Sequence, residues 1–449
     1  MKKLLTFLIL FILIGPTQAQ IISTIVGNGI EGFSGDYGQS STAQIASPSD
    51  VVVDKAGNIY IADRNNSRVR KINTSGIITT IAGDGTVGFS GDSGLATLAQ
   101  LGRPTGITLD STGNIYILDR DNNRIRKIST SGIITTIAGN GSAGYTGDGG
   151  DATQAKFGNG FGISSDKIGE IYIADFENQV IRKVNTSGVI STVAGNGIAG
   201  NFGDGGLAIN AQLNYPNWVA VDNIGNIFIS DMNNNKIRKV NTSGIISTFA
   251  GAASGSSGYS GDGGLATYAL LSLPQGIAID SIGNVYISDS GNDRIRLIDT
   301  SGIISTYAGN GTPGYSGDGG LATYANIGGR SGICVDNKRN LYLADAFTNR
   351  IRKVTFENTS VEQTESDNHL INVYPNPTSN ELTIDFALTE KSYFELYDIF
   401  GAKRKEVTLV SSKQSEKINL SDIDSGLYFY SVFDRKENNI KTGKLIIIK

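Results

Sequence analysis

Apolar and polar residues alternate in short runs along most of this chain, and the runs recur in a fixed order. In one unit they are GITLD at 106–110, NIYIL at 114–118, RIRKI at 124–128 and IITTIA at 133–138. Short alternating runs are typical of β-strands. The pieces between them carry Gly, Asn, Asp and Ser, which suit tight turns. Each unit is therefore predicted to be a four-stranded antiparallel meander.

The unit occurs six times with a nearly constant period. Strings resembling GNIYIAD start 56, 56, 56, 58 and 56 residues apart, at Gly57, Gly113, Gly169, Gly225, Gly283 and Arg339. A period above about 40 residues with four strands per unit is typical of a propeller blade. Six such blades predict a closed ring.

The two ends of the array are complementary. IISTIVGNG at 21–29 copies the fourth strand of a unit, and the repeats stop after the third strand, RIRKVTF at 350–356. The first strand is therefore predicted to supply the strand that blade six lacks. This pairing would cover the edge that an open ring exposes. The predicted fold is all-β: a six-bladed β-propeller closed by its N-terminal strand.

The N-terminal segment differs from the repeats. Two lysines, Lys2 and Lys3, precede an apolar run and a small-residue site that ends at Ala19. This pattern predicts a signal peptide at 1–19, with an apolar run too short for a lasting membrane span. The propeller is then expected at 20–356, and no transmembrane span is expected in the mature chain.

The C-terminal segment also differs. Residues 357–371 are polar and acidic and predict a linker. A domain at 372–449 follows, in which seven short predicted strands alternate with turns. This pattern suggests a small C-terminal Ig-like β-sandwich.

Composition narrows the classes of function. The formal net charge of −4 argues against nucleic acid as a partner. The single histidine, His369, lies outside the repeats, so the propeller has no His-based zinc site and no Ser-His-Asp triad. Cys334, the lone cysteine, is expected to be buried in an innermost strand.

Several repeated strings carry a family resemblance. PQGIAIDSIGNVYISD at 274–289, GNDRIRLI at 291–298 and AGNGTPGYSGDGGLATYA at 308–325 resemble bacterial NHL repeats with long loops. The resemblance covers residues 21–356. It implies a six-bladed propeller that binds proteins, glycans or nucleic acids, with a few enzymes among its relatives. The amidating lyases among them depend on His ligands that this propeller lacks, and Asp50 with Asn217 is too little to indicate a calcium-dependent lactonase.

The tail carries a second resemblance. Tyr374-Pro375-Asn376-Pro377, Leu396-Tyr397-Asp398 with Gly401, Gly426-Leu427-Tyr428 and the terminal strand at 444–449 resemble the C-terminal sorting domain of the type IX secretion system. The resemblance implies a Gram-negative cell and the type IX machinery as a partner. It also implies release into the medium or attachment at the outer-membrane surface.

Three charged positions recur in every blade. They are an Asp that ends the second strand, an Arg in the third strand and an Asp in the GDGG-like loop, represented by Asp63, Arg70 and Asp36. A residue present in all blades serves what all blades share. We expect the second-strand Asp to accept amides of its turn, the Arg to pair with a carboxylate between blades, and the loop Asp to form its turn. No cofactor is expected, although a calcium site at the loop Asp ring is left open.

Positions that break the repeat are more informative about binding. The innermost strand opens with a Pro-x-Gly pattern whose x position is Ser49, Thr105, Phe161, Asn217, Gln275 and Ser331. These residues are expected to ring the channel mouth on the face with the longer, variable loops. At the Gly position, blade one has Asp50 and blade four has Trp218. Tyr215 precedes the only tryptophan.

These exceptions define the predicted site. The candidate ligand-binding residues are Asp50, Phe161, Tyr215, Asn217, Trp218 and Gln275. An alternative is that Trp218 plugs the channel or fills a gap.

We expect a secreted or surface-displayed binding module for an extracellular glycan or protein. Two other interpretations stay open: a metal-dependent hydrolase or lactonase with its site in the channel, and a purely structural surface protein. No catalytic residue is proposed.

Overall fold

The computed structural model describes residues 19–328, 332–357, 371–376, 378–386, 391–398, 402–410, 414–433, 439–447 and 449. Residues 1–18 of the predicted signal peptide lie outside the described residues. Residues 358–370 of the predicted linker lie outside them as well. The chain divides into two compact units on either side of Glu357.

The first unit consists of repeated four-stranded antiparallel sheets, as the sequence predicts. Its first strand is β1 (Ala19–Val26). Blade one is β2 to β5 (Asp50–Val53, Ile59–Asp63, Arg68–Ile72, Ile78–Ala82), blade two β6 to β9 (Pro104–Leu109, Ile115–Asp119, Arg124–Ile128, Ile134–Ala138) and blade three β10 to β13 (Ile163–Ser165, Ile171–Asp175, Val180–Val184, Ile190–Ala194).

The remaining blades follow the same order. Blade four is β14 to β17 (Pro216–Val221, Ile227–Asp231, Lys236–Val240, Ile246–Ala250), blade five β18 to β21 (Pro274–Ile279, Val285–Asp289, Arg294–Ile298, Ile304–Ala308), and blade six combines β22 to β24 (Ile333–Val335, Leu341–Asp345, Arg350–Glu357) with β1.

Short 3₁₀ turns occupy two recurrent places. One set follows the second strand: Arg64–Asn66, Arg120–Asn122, Phe176–Asn178, Met232–Asn234 and Ser290–Asn292. The other set lies in the blade-to-blade loops: Ser40–Thr42, Ala96–Leu98, Ala152–Gln154, Ala208–Asn210, Ala266–Tyr268 and Ala322–Tyr324.

Strand β1 pairs antiparallel with β24 and is the outermost strand of its sheet. A β-bulge between Thr24 and Val26 reverses the side-chain parity. Ile22 is therefore buried among residues of blades five and six, whereas Val26 is buried among residues of blades six and one. The same bulge recurs where third and fourth strands pair in blades one to five. Strand β1 therefore contributes buried apolar side chains to the clusters on both sides of the sixth sheet.

The propeller core lies between neighbouring blades. Each apolar cluster joins side chains of two adjacent sheets; one, for example, contains Val69 of blade one and Ile117 of blade two. The innermost strands also contact each other in sequence, and β22 contacts β2. Burial of apolar area at these layers provides the main favourable free energy of the ring.

A buried arginine organises each blade. In blade two the Arg126 guanidinium, with no exposed side-chain surface, lies 3.3 Å from Asp119 Oδ2 and 2.9 Å from Asp92 Oδ1. Asp92 lies in the long loop before the blade, and it also accepts a hydrogen bond from Thr136 of the fourth strand at 2.7 Å. The guanidinium therefore fastens the incoming loop to the third strand. The equivalent arginines are Arg70, Arg182, Arg238, Arg296 and Arg352, all fully buried.

This network revises two sequence-based expectations. The second-strand Asp does not simply cap its own turn, because Asp119 Oδ1 accepts from the amide of Gly102 in the incoming loop at 2.6 Å. The loop Asp is an ion-pair partner of the arginine rather than a residue that only forms a turn. Burial raises the pKa of Asp63, Asp175 and Asp231 to about 6, although the adjacent arginines act in the opposite direction.

The propeller face that carries the first-to-second turns, here called the short-turn face, is stabilised by a different interaction. Asp110 Oδ1 accepts from the amides of Thr112 and Asn114, and its other oxygen accepts from Tyr116 at 3.0 Å. These hydrogen bonds lower the pKa of Asp110 to about 2, against the opposing effect of burial. The same amide contacts recur at Asp54, Asp166, Asp222, Asp280 and Asp336. This face repeats because its turns all need the same acceptor.

The second unit contains seven strands among its described residues. They are β25 to β31 (Ile371–Tyr374, Glu381–Phe386, Ser392–Asp398, Lys403–Leu409, Ser415–Asn419, Gly426–Phe433, Asn439–Ile447). They form a three-stranded sheet, β25-β26-β29, and a four-stranded sheet, β28-β27-β30-β31. Leu382, Phe394 and Leu445 are among the residues of their common core. The Ig-like assignment of this unit stays a prediction.

Replacing Arg126 with Met should destabilise the propeller strongly. The change leaves the buried Asp119 carboxylate without its cation, a situation that typically costs about 3–5 kcal/mol. Arg103→Met is the matched control, because Arg103 pairs with Asp121 of the same blade at 3.6 Å but is half exposed. That surface pair should contribute at most about 1 kcal/mol. Equal denaturation midpoints for the two variants would contradict the structural role assigned to Arg126.

Candidate functional site

A cavity of about 940 Å³ opens on the propeller face that carries the second-to-third turns and the long loops. Its lining includes five of the six x positions of the innermost strands: Ser49, Thr105, Phe161, Asn217 and Gln275. Ser331, the sixth, lies outside the described residues. The structure thus gathers these five variable side chains, and we name this space the mouth cavity.

The structure gathers most, but not all, of the predicted site residues. Phe161, Asn217, Trp218 and Gln275 line the mouth cavity. Tyr215 is not part of the lining. Its ring centroid lies 4.8 Å from that of Phe176, which does line the mouth cavity.

Asp50 lies apart from this group, beside a second cavity of about 190 Å³ along the innermost strands. Its carboxylate accepts from the amides of Val51 and of Ile107 in the next blade, both at 2.8 Å. Burial raises its pKa well above the usual value, and the hydrogen bonds oppose that shift. Cys334 lies in the innermost strand β22, as expected, but it is only partly buried because it lines this channel. Desolvation raises the pKa of its thiol.

The side chains of Trp218 and Asp50 are accommodated because each lies beside a glycine of the neighbouring blade. A Cβ at Gly162 would lie 2.7 Å from the Trp218 Cα and 2.9 Å from Cδ2 of its ring. A Cβ at Gly332 would lie 2.3 Å from Oδ1 of Asp50. Each larger side chain therefore uses the space that the glycine of the preceding blade leaves open. Trp218 is only 6% exposed, and it lines both cavities, so its ring lies at the boundary between the mouth and the channel.

A second set of lining residues was not predicted from the sequence. The first residue of the turn after each second strand lines the mouth cavity in all six blades: Arg64, Arg120, Phe176, Met232, Ser290 and Ala346. This position follows the repeated Asp directly, and it changes from cationic to aromatic, aliphatic and small. Comparing the six units column by column would have found it, because it varies strongly next to a position that does not vary.

The network of buried arginines and their aspartate partners, which we call the frame, fixes the conformation of these turns. In blade two, Asn122 Nδ2 donates to Asp119 Oδ2 at 2.8 Å and to the Gly88 carbonyl at 2.7 Å. The residue that ends the turn, Asn123, has the left-handed φ of 47°. Because Asp119 is itself held by Arg126, the side chain of Arg120 projects from a preorganised turn.

An aromatic row borders the mouth cavity on the side of blades three and four. The ring centroids of Phe161 and Phe176 are 5.4 Å apart, and that of Tyr215 follows at 4.8 Å from Phe176. The Arg120 guanidinium lies over the Phe161 ring, 4.5 Å from its centroid. Blade five offers Ser290 and Gly291 at the corresponding turn. The cavity therefore has an aromatic, cationic side and a small, polar side.

Two further observations concern metals and membranes. Within the described residues, no group of three or more His, Cys, Asp or Glu side chains is arranged to hold a metal ion. The same described part of the chain contains no helix that is long and apolar enough to span a membrane.

Family models match most of the chain. The teneurin NHL domain matches at 86–146, 140–199, 198–260 and 252–312, which together cover just over half of the chain, and the NHL repeat matches at 46–72. The chain therefore belongs to the NHL-repeat family. Residues 372–449 match the secretion system C-terminal sorting domain. The protein is thus secreted or located at the outer-membrane surface of a Gram-negative bacterium.

Curated relatives show the same relationship. Teneurin-4 of Mus musculus is 30% identical over 293 residues, which is 54% of this chain and 10% of the relative. Teneurin-m of Drosophila melanogaster is 27% identical over 354 residues, 71% of this chain and 12% of the relative. The chain spans about a tenth of the length of these teneurins.

Solved structures confirm the fold. A structural genomics protein of unknown function from Bacteroides thetaiotaomicron superposes with a TM-score of 0.55 at 20% identity, over 75% of this chain and 76% of that chain. An auxiliary nutrient binding protein from the same organism also gives 0.55, at 16% identity over 76% and 77% of the two chains. At such identities the likeness concerns the fold.

Proposed function

We propose that this protein is an extracellular binding module that takes a glycan or a protein segment into the mouth cavity. The observation that carries the proposal is the contrast between frame and lining. The arginine network repeats in all six blades, whereas the x positions and the turn positions at the mouth do not. A residue that repeats in all six blades serves the common fold, whereas binding residues concentrate on the loops that a rigid scaffold positions.

The dimensions of the cavity support this proposal. About 940 Å³ falls within the range typical of ligand sites and has room for several sugar rings or a short peptide segment. Phe161 and Phe176 offer apolar surface at low cost in conformational entropy, because aromatic rings have few rotatable bonds. Thr105, Asn217 and Gln275 add polar groups around the same space.

Replacing Phe176 with Ala should weaken ligand binding without affecting folding. Blade six carries Ala346 at the equivalent turn position, so alanine suits this frame. Ile168→Ala is the control: it also removes an apolar side chain of blade three, but one that is exposed on the short-turn face. With a ligand identified by thermal-shift screening of polysaccharides and secreted proteins, Phe176→Ala should lose about 1 kcal/mol of affinity, roughly fivefold.

Two readouts decide between the alternatives. Trp218 is the only tryptophan and borders the mouth cavity, so bound ligand should change the intrinsic emission. Repeating the screen with a chelator distinguishes a metal-dependent hydrolase or lactonase, whose binding or turnover would be lost. If Phe176→Ala and Ile168→Ala bind equally well and the emission does not respond, the ligand site lies elsewhere.

We also propose that the sorting domain directs export through the type IX machinery. The domain forms a unit of its own, with its own apolar core. Removing residues 372–449 should therefore leave a folded propeller that accumulates in the periplasm. Cell fractionation measures the outcome, with the full-length chain as control. Native amounts of the truncated protein in the medium would contradict this role of the tail.

A further inference from the structure

Arg120 differs from the arginines of the frame in its partners. Its guanidinium lies over the Phe161 ring, whereas its Nε, like that of Arg126, has no hydrogen-bond partner among the described residues. Among the described residues no carboxylate lies within ion-pair distance of it, whereas Arg126 of the same blade has two. A partly buried guanidinium without a carboxylate partner favours an anion from outside the chain.

Charge is distributed unevenly around the mouth cavity. Four charged residues are among the described lining: Arg64 in blade one, Arg120 in blade two, Glu31 in the first loop and Asp293 in blade five. Glu31 accepts a hydrogen bond from Asn65 at 3.2 Å. Asp293 lies in the blade opposite blade two in a six-bladed ring. The sector at blades one and two therefore carries two guanidinium groups against the one Glu31 carboxylate, and it is the part of the cavity with a net positive charge.

The cationic sector adjoins the aromatic row. Phe161 contacts the Arg120 guanidinium, and Phe176 lies edge-to-face against Phe161. A pyranose ring with a carboxylate matches this arrangement, because its apolar face packs on an aromatic ring and its carboxylate accepts paired N–H groups from a guanidinium. An acidic peptide carries its carboxylates on flexible stems without an adjoining flat apolar face.

We propose that the mouth cavity recognises an acidic saccharide of the uronic acid type, with the carboxylate at Arg120 and Arg64 and a sugar ring against the Phe161–Phe176 pair. This inference rests on the proposed binding function and specifies its ligand class. Arg120 supplies charge and planar donors in one group, which lysine does not reproduce.

The test is calorimetric titration of the full-length protein with hexagalacturonic acid, its methyl ester and a hexaglutamate peptide. The acid should bind more tightly than the ester, which has the same rings without charge, and its affinity should fall with added salt. Arg120→Gln should weaken binding of the acid at least about tenfold and leave binding of the ester unchanged. Arg120→Lys should recover only part of the affinity.

Lys55→Gln is the control, because it removes one positive charge from an exposed position on the short-turn face. It should leave all three affinities unchanged. Equal binding of acid and ester in every variant would overturn the acidic-ligand inference while supporting a glycan site. Binding of hexaglutamate alone would overturn it in favour of an acidic protein segment. Binding of none of the three, while the thermal-shift screen finds another ligand, would overturn this inference and leave the proposed function intact.

Discussion

The structure depends on one buried interaction, that of an arginine in each blade. It pairs with the loop aspartate in all six blades and, in blades one to five, also with the aspartate that ends the second strand. Arg126 joins Asp119 at the end of the second strand to Asp92 in the incoming loop, and Asp92 also binds the fourth strand. A fully buried guanidinium is stable only while its carboxylates stay in place. The long loops between blades are therefore fixed parts of the frame, although they contain no regular structure beyond short turns.

A frame fixed in this way leaves other positions free to vary. The residue after each second-strand Asp projects from a preorganised turn, and the x position begins an innermost strand whose pairing is already set. Changes at these places alter the mouth cavity without disturbing the network. Trp218 belongs to both environments, since it packs in the core between blades four and five and also borders the mouth cavity. Its burial makes it a boundary of the site more than an open stacking surface.

The repeat predicted the strands well because each unit carries the same alternation and turn residues; β6 to β9 lie within two residues of the predicted runs at both ends. The pairing of the repeated arginine with a carboxylate between blades was predicted, but its two aspartate partners were not identified. Asp92 lies 34 residues from Arg126, and local patterns assigned each aspartate to its own turn. Asp50 and Trp218 break the same pattern, yet Asp50 bonds to backbone in the channel and Trp218 reaches the mouth. The two residues differ in the direction that their side chains take in the folded propeller, and a single sequence does not specify this direction.

The central claim is that ligand binds where the repeat fails and not where it holds. Hydrogen–deuterium exchange of the full-length protein, with and without a bound saccharide or protein ligand, tests this claim most directly. The account predicts slower exchange at the turns 64–66, 120–122 and 176–178, with unchanged exchange at the repeated turns 54–58 and 110–114 of the opposite face. Protection confined to those repeated turns would contradict it.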